Sequence, residues 1–516
     1  MAKMKHHLNR RDFLKLAGLL PLGMATPRLV KSLGASQLLQ DGRKNVLVVV
    51  FDAFSAYHLS LYGYQRETMP NLVRLAERAI VYHNYYAGGS FTTPGTASLL
   101  TGTLPWTHRA FRPKSQVVDP FVSRNFFGAF HDYYRIAYTH NGWTNILLEQ
   151  FGGELDELVP WKSLFLQSYN GFQNLFEKDS DIASVGWTRN VNIQQEGYSY
   201  SLFLSHLIGA LRENQFADLK KKFPRGIPSI GFAGSEFLLE NAIDWTGNRL
   251  ALIPQPFFGY FHFMPPHGSY NTPIEFINRF SKDGFAPVEK PEDIFTEGES
   301  RTQLLKKRVE YDEFILYVDR EFGRLFDKLE VSGLLENTWL VFTSDHGEMF
   351  ERGISAHNTN ALYQPLIRVP LLIFEPGRKT RMDVHTPTSA VDVLPTLSHV
   401  TGHSIPDWTE GVILPPYAGA SPDPNRNVYV MKANKNDQYA PITRASLALV
   451  KGHYKLLYYF GYVERGIDEL VKLYDIEADP EELFDLYPSQ KDIADELLNE
   501  IKTKLAEVNK PYLQSS

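Results

Sequence analysis

The feature that most constrains this chain is Asn45–Phe51, whose last six residues, VLVVVF, are unbroken apolar sequence that stops at Asp52. A run this short and this rich in β-branched valine reads as a strand rather than a buried helix. It does not alternate with polar residues, so both of its faces must be covered, as in a parallel sheet with helices on each side. A second run, Thr338–Thr343, is of the same type and ends at Ser344-Asp345-His346-Gly347. Ahead of it, Ile315, Val318, Phe322, Leu325 and Leu329 recur every three or four residues, which predicts a long amphipathic helix over 303–331. A shorter helix is predicted over 70–80, with Pro70 in its first turn and Leu72, Leu75 and Ala76 on one stripe.

Helix leading into a parallel-type strand places the chain in the α/β class: a mixed, mostly parallel sheet sandwiched by helices. In open sheets of this kind ligands collect beyond the carboxyl ends of the strands. Asp52 and the pair Asp345-His346 both stand at such ends, so two distant segments are expected to meet at one site.

The 516 residues suffice for one large core and a smaller domain. A catalytic domain is assigned to 44–414, with an insertion over about 153–256 where periodicity fades. A small α+β subdomain is assigned to 415–516, with strands at 428–431, 445–450 and 454–459 and a closing helix over 493–508. Residues 1–35 read as an export signal, because Asn9-Arg10-Arg11-Asp12-Phe13-Leu14-Lys15 resembles a twin-arginine motif and the apolar stretch behind it is short. The expected location is therefore periplasmic or extracellular, with no transmembrane segment in the mature chain. A net charge of −6 without basic runs argues against nucleic acid as a partner. Cysteine is absent, which excludes disulfides, thiolate metal sites and cysteine nucleophiles.

One further segment carries chemistry. In Phe91-Thr92-Thr93-Pro94-Gly95-Thr96, Thr93 is a candidate N-cap and Pro94 a candidate first helical residue, so Thr92 falls beside a helix N-terminus. A hydroxyl there becomes a nucleophile if a divalent cation also binds it. Asp52, Asp345 and His346 add two carboxylates and an imidazole, a donor set suited to Mn, Zn, Ca or Mg. The reading requires the hydroxyl of Thr92 to lie within ~6 Å of those three groups.

These residues stand in an ordered series: Asp52, His58-Leu59-Ser60-Leu61-Tyr62-Gly63-Tyr64, Met69-Pro70-Asn71-Leu72, the Thr92 segment, Pro266-His267-Gly268, Asp345-His346-Gly347-Glu348, Ile367-Arg368-Val369-Pro370, and a tail with Leu473-Tyr474-Asp475, Asp479-Pro480 and Glu482-Leu483. The series resembles the sulfatase branch of the alkaline-phosphatase superfamily. The resemblance implies Asp52, Thr92, Asp345 and His346 as ligands of one divalent metal ion and Thr92 as the nucleophile. It also implies His267 against the substrate anion and His357 near the leaving group.

The departures matter as much. Formylglycine sulfatases carry Cys or Ser where Thr92 stands and Arg where Thr96 stands; Ser55 and Tyr57 replace a usual Arg and Asp, and the lysine that sulfatases often carry just before the position of Tyr363 is missing. Oxidised threonine is a ketone rather than an aldehyde, so the expected activity is metal-dependent hydrolysis of phosphate or sulfate esters, phosphodiesters favoured, on a small-molecule, glycan or lipid substrate. A sulfuric ester hydrolase, a phosphoalcohol transferase and a non-catalytic binding protein on the same fold are the rivals. His262, His131 and His140 read as structural histidines.

Overall fold

A computed structural model describes residues 42–166, 216–231, 235–419 and 423–513. The export segment 1–35 lies outside these residues, as do 167–215 and 232–234 of the expected insertion. Residues Gly42–Ser516 form one compact unit. Among the described residues no helix is long and apolar enough to cross a membrane.

The central sheet consists of Asn45–Phe51 (β1), Ile80–Tyr82 (β2), Tyr134–Thr139 (β3), Glu157–Leu158 (β4), Phe257–Phe263 (β5), Thr338–Thr343 (β6), Leu371–Phe374 (β7) and Met382–Val384 (β8). They lie in the order β8-β2-β7-β6-β1-β5-β3-β4, and pairing is parallel except on the two sides of β7. The helices that matter here are Pro70–Ala76 (α1), Thr92–Thr101 (α2), Gly142–Gln150 (α3), Leu239–Leu250 (α4) and Arg301–Val331 (α5).

The absence of polar alternation in β1 has the expected cause. Leu47, Val49 and Phe51 join one hydrophobic cluster with Val318 and Phe322 of α5, while Val46, Val48 and Val50 join another with Ala97, Leu99 and Leu100 of α2. Each side of the strand therefore has its own helical cover. Register does the rest: Val50 pairs with Thr343 on one side and with His262 on the other, and His262 pairs with Thr139. The ends of four parallel strands are thus level, and the residues that follow them share one rim.

Several boundaries differ from expectation. The first helix stops at Ala76, because Ile80 is taken into β2 beside β7. The long helix begins at Arg301, where Ser300 and Gln303 form a capping box. Helix α2 starts at Thr92 with extended Phe91 as its cap, so Thr93 is not the N-cap and Pro94 is not the first helical residue.

The C-terminal part holds an antiparallel sheet of Val428–Lys432 (β9), Ala445–Lys451 (β10), Tyr454–Tyr462 (β11) and Ile467–Asp475 (β12), and Lys491–Leu513 (α6). Strand β12 escaped the sequence reading because its ends are polar. One face of this sheet packs on α6 through Leu447, Leu449, Leu497 and Ile501. The other packs on the segment after the DHGE motif, with Val430 and Leu457 against Leu362 and Ile367.

Candidate active site at the carboxyl ends of the central strands

Asp52, directly after β1, and Asp345 and His346, after β6, are buried together. One donor atom from each lies within 4.8 Å of the others. His346 Nε2 is 3.3 Å from Asp52 Oδ1 and 3.8 Å from Asp345 Oδ2. The ring is held in that direction from behind, since His346 Nδ1 donates to the Gly347 carbonyl at 2.9 Å. Fixing one ring nitrogen on a carbonyl leaves the other as a lone-pair donor, the usual preparation of a ligating histidine.

Thr92, at the first turn of α2, joins the cluster. Its Oγ1 is 3.4 Å from His346 Nε2 and 3.4 Å from Asn141 Nδ2. Close approach of α2 to the strand ends depends on Gly95, where a Cβ would sit 2.1 Å from the Asp345 carbonyl oxygen. One residue on, Thr96 Oγ1 donates to Asp345 Oδ2 at 3.4 Å, so the position where formylglycine sulfatases carry arginine is filled here by a short neutral hydroxyl.

The electrostatics of the cluster call for positive charge. Burial pushes the Asp52 carboxyl up, but the close contacts with His262 and His346 and the charge of His267 outweigh it and hold it well below the usual range. Burial and the neighbouring charge of Asp52 push the Asp345 carboxyl up. Burial opposes the imidazolium of His346, yet Asp345 and Asp52 prevail and push it up to about 9. Among the described residues, buried Asp52 Oδ1 has no hydrogen-bond partner. Two carboxylates, one with an unsatisfied oxygen, and an imidazole facing a common point fit a divalent cation.

Two further residues border the cluster. Asn141 caps α3 by accepting from Trp143 N with its Oδ1 at 2.7 Å, which turns its Nδ2 onto Asp52 Oδ2 and Thr92. Nothing in the sequence distinguishes it from an ordinary N-cap. His262, read as structural, has partners for both ring nitrogens and lies beside the cluster, with Nε2 3.2 Å from Asp52 Oδ2 and Nδ1 3.1 Å from the Tyr260 hydroxyl. Its pairing with Val50 was the available signal, since paired residues of parallel strands share a face, but register is not visible in one sequence.

His357 and His267 form the far wall. The His357 ring centroid is 4.4 Å from that of His346 and 4.9 Å from that of His267. His357 Nδ1 is 2.9 Å from Glu348 Oε1, and His267 Nδ1 donates to the Gly268 carbonyl at 2.8 Å. Burial pushes the Glu348 carboxyl up to about 7 against the charges of His267 and His346. Burial and the nearby His346 and His267 push His357 well below its ordinary value. All six residues expected at the site, Asp52, Thr92, His267, Asp345, His346 and His357, thus gather at one rim. His58 does not: it bonds Asp312 at 2.6 Å inside a structural network with Arg66 and Tyr64.

Residues 44–403 match the sulfatase family profile, and residues 355–511 match that of the C-terminal part of N-sulphoglucosamine sulphohydrolase. Among curated proteins, choline-sulfatase of Rhizobium meliloti is 24% identical over 470 residues, covering 86% of this chain and 82% of its own. Endo-4-O-sulfatase of Bacteroides thetaiotaomicron is 27% identical over 279 residues, covering 50% and 53%. The crystal structure of the phosphonate monoester hydrolase of Agrobacterium radiobacter superposes with a TM-score of 0.63 at 18% identity, over 91% of this chain and 96% of that one.

Proposed function

This chain belongs to the sulfatase family of ester hydrolases, and on that premise we propose that it hydrolyses phosphate or sulfate esters with Thr92 as nucleophile, phosphodiesters preferred. The observation that carries the reading is the Thr92 hydroxyl 3.4 Å from His346 Nε2, inside the cluster of Asp52, Asp345 and His346. These four side chains would hold one divalent cation, of which Mn, Zn, Ca and Mg are all compatible with the donors. When bound, such a cation supplies Lewis acidity and neutralises charge on the ester.

The chain's own groups divide the remaining work. Asn141 Nδ2 orients Thr92 and Asp52 together. Thr92 Oγ1 gives up its hydroxyl proton to water and attacks the phosphorus or sulfur in line; the new O–P or O–S bond forms as the bond to the leaving oxygen breaks. His267 Nε2 is placed for the non-bridging oxygens, and the proton of the Glu348 carboxyl, pushed up to about 7, passes to Nδ1 of neutral His357 as the ring gives its Nε2 proton to the leaving oxygen. Water then cleaves the Thr92 ester and restores the hydroxyl.

Threonine favours phosphoester chemistry, because it cannot provide the aldehyde hydrate that formylglycine enzymes use. The likeness to choline-sulfatase over most of both chains favours a second reading, direct attack by Thr92 on a sulfate ester of a small molecule or glycan. Parallel assays on aryl phosphodiester, aryl phosphonate and aryl sulfate separate the two. Thr92→Ala should lower turnover on every active substrate by about 10³-fold or more at unchanged stability. Wild-type rates in that variant would remove Thr92 from the reaction.

A further inference from the structure

Lys432 ends β9 of the C-terminal sheet, far in sequence from the strand ends, and is 4% exposed. Among the described residues its Nζ has one long polar contact, 3.5 Å to the carbonyl oxygen of His357, and it lies 5.0 Å from the centroid of the Phe91 ring, the residue before Thr92. Among the described residues no carboxylate pairs with it; exposed Glu297 acts on it only at a distance. Strand β9 is tied into place beside the nucleophile segment by a backbone bond from Met431 N to the Gly88 carbonyl at 3.1 Å. The fold therefore delivers the ammonium to a position between Phe91 and His357.

A buried ammonium without a counterion is unfavourable, and such groups are ordinarily paired. An aromatic face and a single carbonyl satisfy only part of its demand for acceptors. Burial pushes the Lys432 amine down to about 8, against the distant charge of Glu297. The catalytic segments, for their part, are short of positive charge, with Thr96 in place of arginine and no lysine just before Tyr363. An orphaned cation and an anion site lacking one stand side by side.

We infer that Lys432 is a substrate-binding residue, whose ammonium takes an anionic oxygen of the ester held between Thr92 and His357. The C-terminal sheet then contributes to the catalytic site as well as covering it. This inference rests on the proposed ester hydrolase activity.

The test compares metal-loaded wild type with Lys432→Met and Lys432→Gln, titrating inorganic phosphate and sulfate by calorimetry and following melting with and without each anion. Both variants should bind the anion about 10- to 100-fold more weakly. Without anion their melting temperatures should equal or exceed that of the wild type, because an unpaired buried charge has gone. On the active ester, KM should rise more than kcat falls. A merely structural lysine predicts lower melting temperatures with anion affinity within about twofold of wild type, and that result overturns the inference. Wild type that binds neither anion and cleaves no ester would sink the proposed activity itself, whereas active wild type matched by both variants sinks only the role of Lys432.

Discussion

His346 Nε2 lies 3.3 Å from Asp52 Oδ1, so the imidazole after β6 and the carboxylate after β1 converge on one point. Parallel pairing of the two strands, with Val50 level with Thr343, makes the encounter a consequence of register. Asp345 completes the set but sits there at a cost, its carboxyl pushed up by burial and by Asp52. Asp345→Asn relieves that repulsion. In chelator the variant should therefore melt at the wild-type temperature or above it. On adding Mn²⁺, Zn²⁺, Ca²⁺ or Mg²⁺, wild type should gain about 2.7 kcal/mol at a hundredfold excess over Kd, and the variant less than about 1. Equal gains in differential scanning calorimetry would exclude Asp345 as a ligand.

Asn141 serves two structures with one side chain, capping α3 through Oδ1 and holding Asp52 and Thr92 through Nδ2. Substitutions can separate these roles. Asn141→Asp keeps an acceptor for the cap but turns an oxygen toward Asp52, so stability should change by less than about 1 kcal/mol while kcat falls by about 10²-fold. Asn141→Ala should lose both, with about 1 kcal/mol from the cap. Urea melts paired with steady-state kinetics give both readings; full activity in the aspartate variant would show that the Nδ2 contacts are dispensable.

Much of this was legible from the chain because it depends on local pattern. The valine-rich β1, the period of α5 and the abrupt ends at Asp52 and Asp345 each record burial or its termination within a few residues. Asn141 looks in the sequence like any other N-cap, and the remaining neighbours of the cluster depend on how distant strands come together. His262 becomes a partner of Asp52 only because β5 and β1 pair as they do, and Lys432 reaches the Thr92 segment only through the docking of a separate sheet. Side chains that serve from a distance leave no periodic trace. Thr93 failed as an N-cap for a related reason: extended Phe91 starts the helix two residues earlier without a side-chain cap.

His140 reads in the sequence as a structural histidine, and the structure gives it an aromatic rather than a polar setting. Its ring stacks on Phe237 at 4.2 Å, and neither ring nitrogen has a hydrogen-bond partner among the described residues. Burial and the neighbouring His262 push it down to about 3. The unfolded chain, with an ordinary histidine near 6.5, then binds more protons than the native state at every pH between the two values. Stability falls as pH drops below about 6.5, at up to ~1.4 kcal/mol per unit from this residue alone. His140→Phe keeps the stacked ring and removes the titration. Unfolding free energies at pH 7 and pH 5 should differ less in the variant by about 1–2 kcal/mol; an unchanged slope would mean that His140 is not a neutral group in the native state.

Lys455 and Glu482 bind the C-terminal sheet to the loop behind the site. Both side chains are at most 1% exposed, the ammonium pairs with Oε1, and Oε2 accepts from Gln364 N at 2.8 Å. Burial pushes the Lys455 amine down despite the charge of Glu482, so each charge is held there by the other. Removing one partner strands the second in a dry interior, and Lys455→Met or Glu482→Gln should each cost about 3–5 kcal/mol. The double variant strands neither charge, and the amide that replaces the carboxylate still offers an oxygen to Gln364 N. Its cost should therefore be well below the sum of the two single losses, with a coupling of about 1–3 kcal/mol in a double-mutant cycle from denaturant melts. Additive losses would mean that the two charges are stabilised independently, with hydration or other neighbours supplying what each now takes from the other.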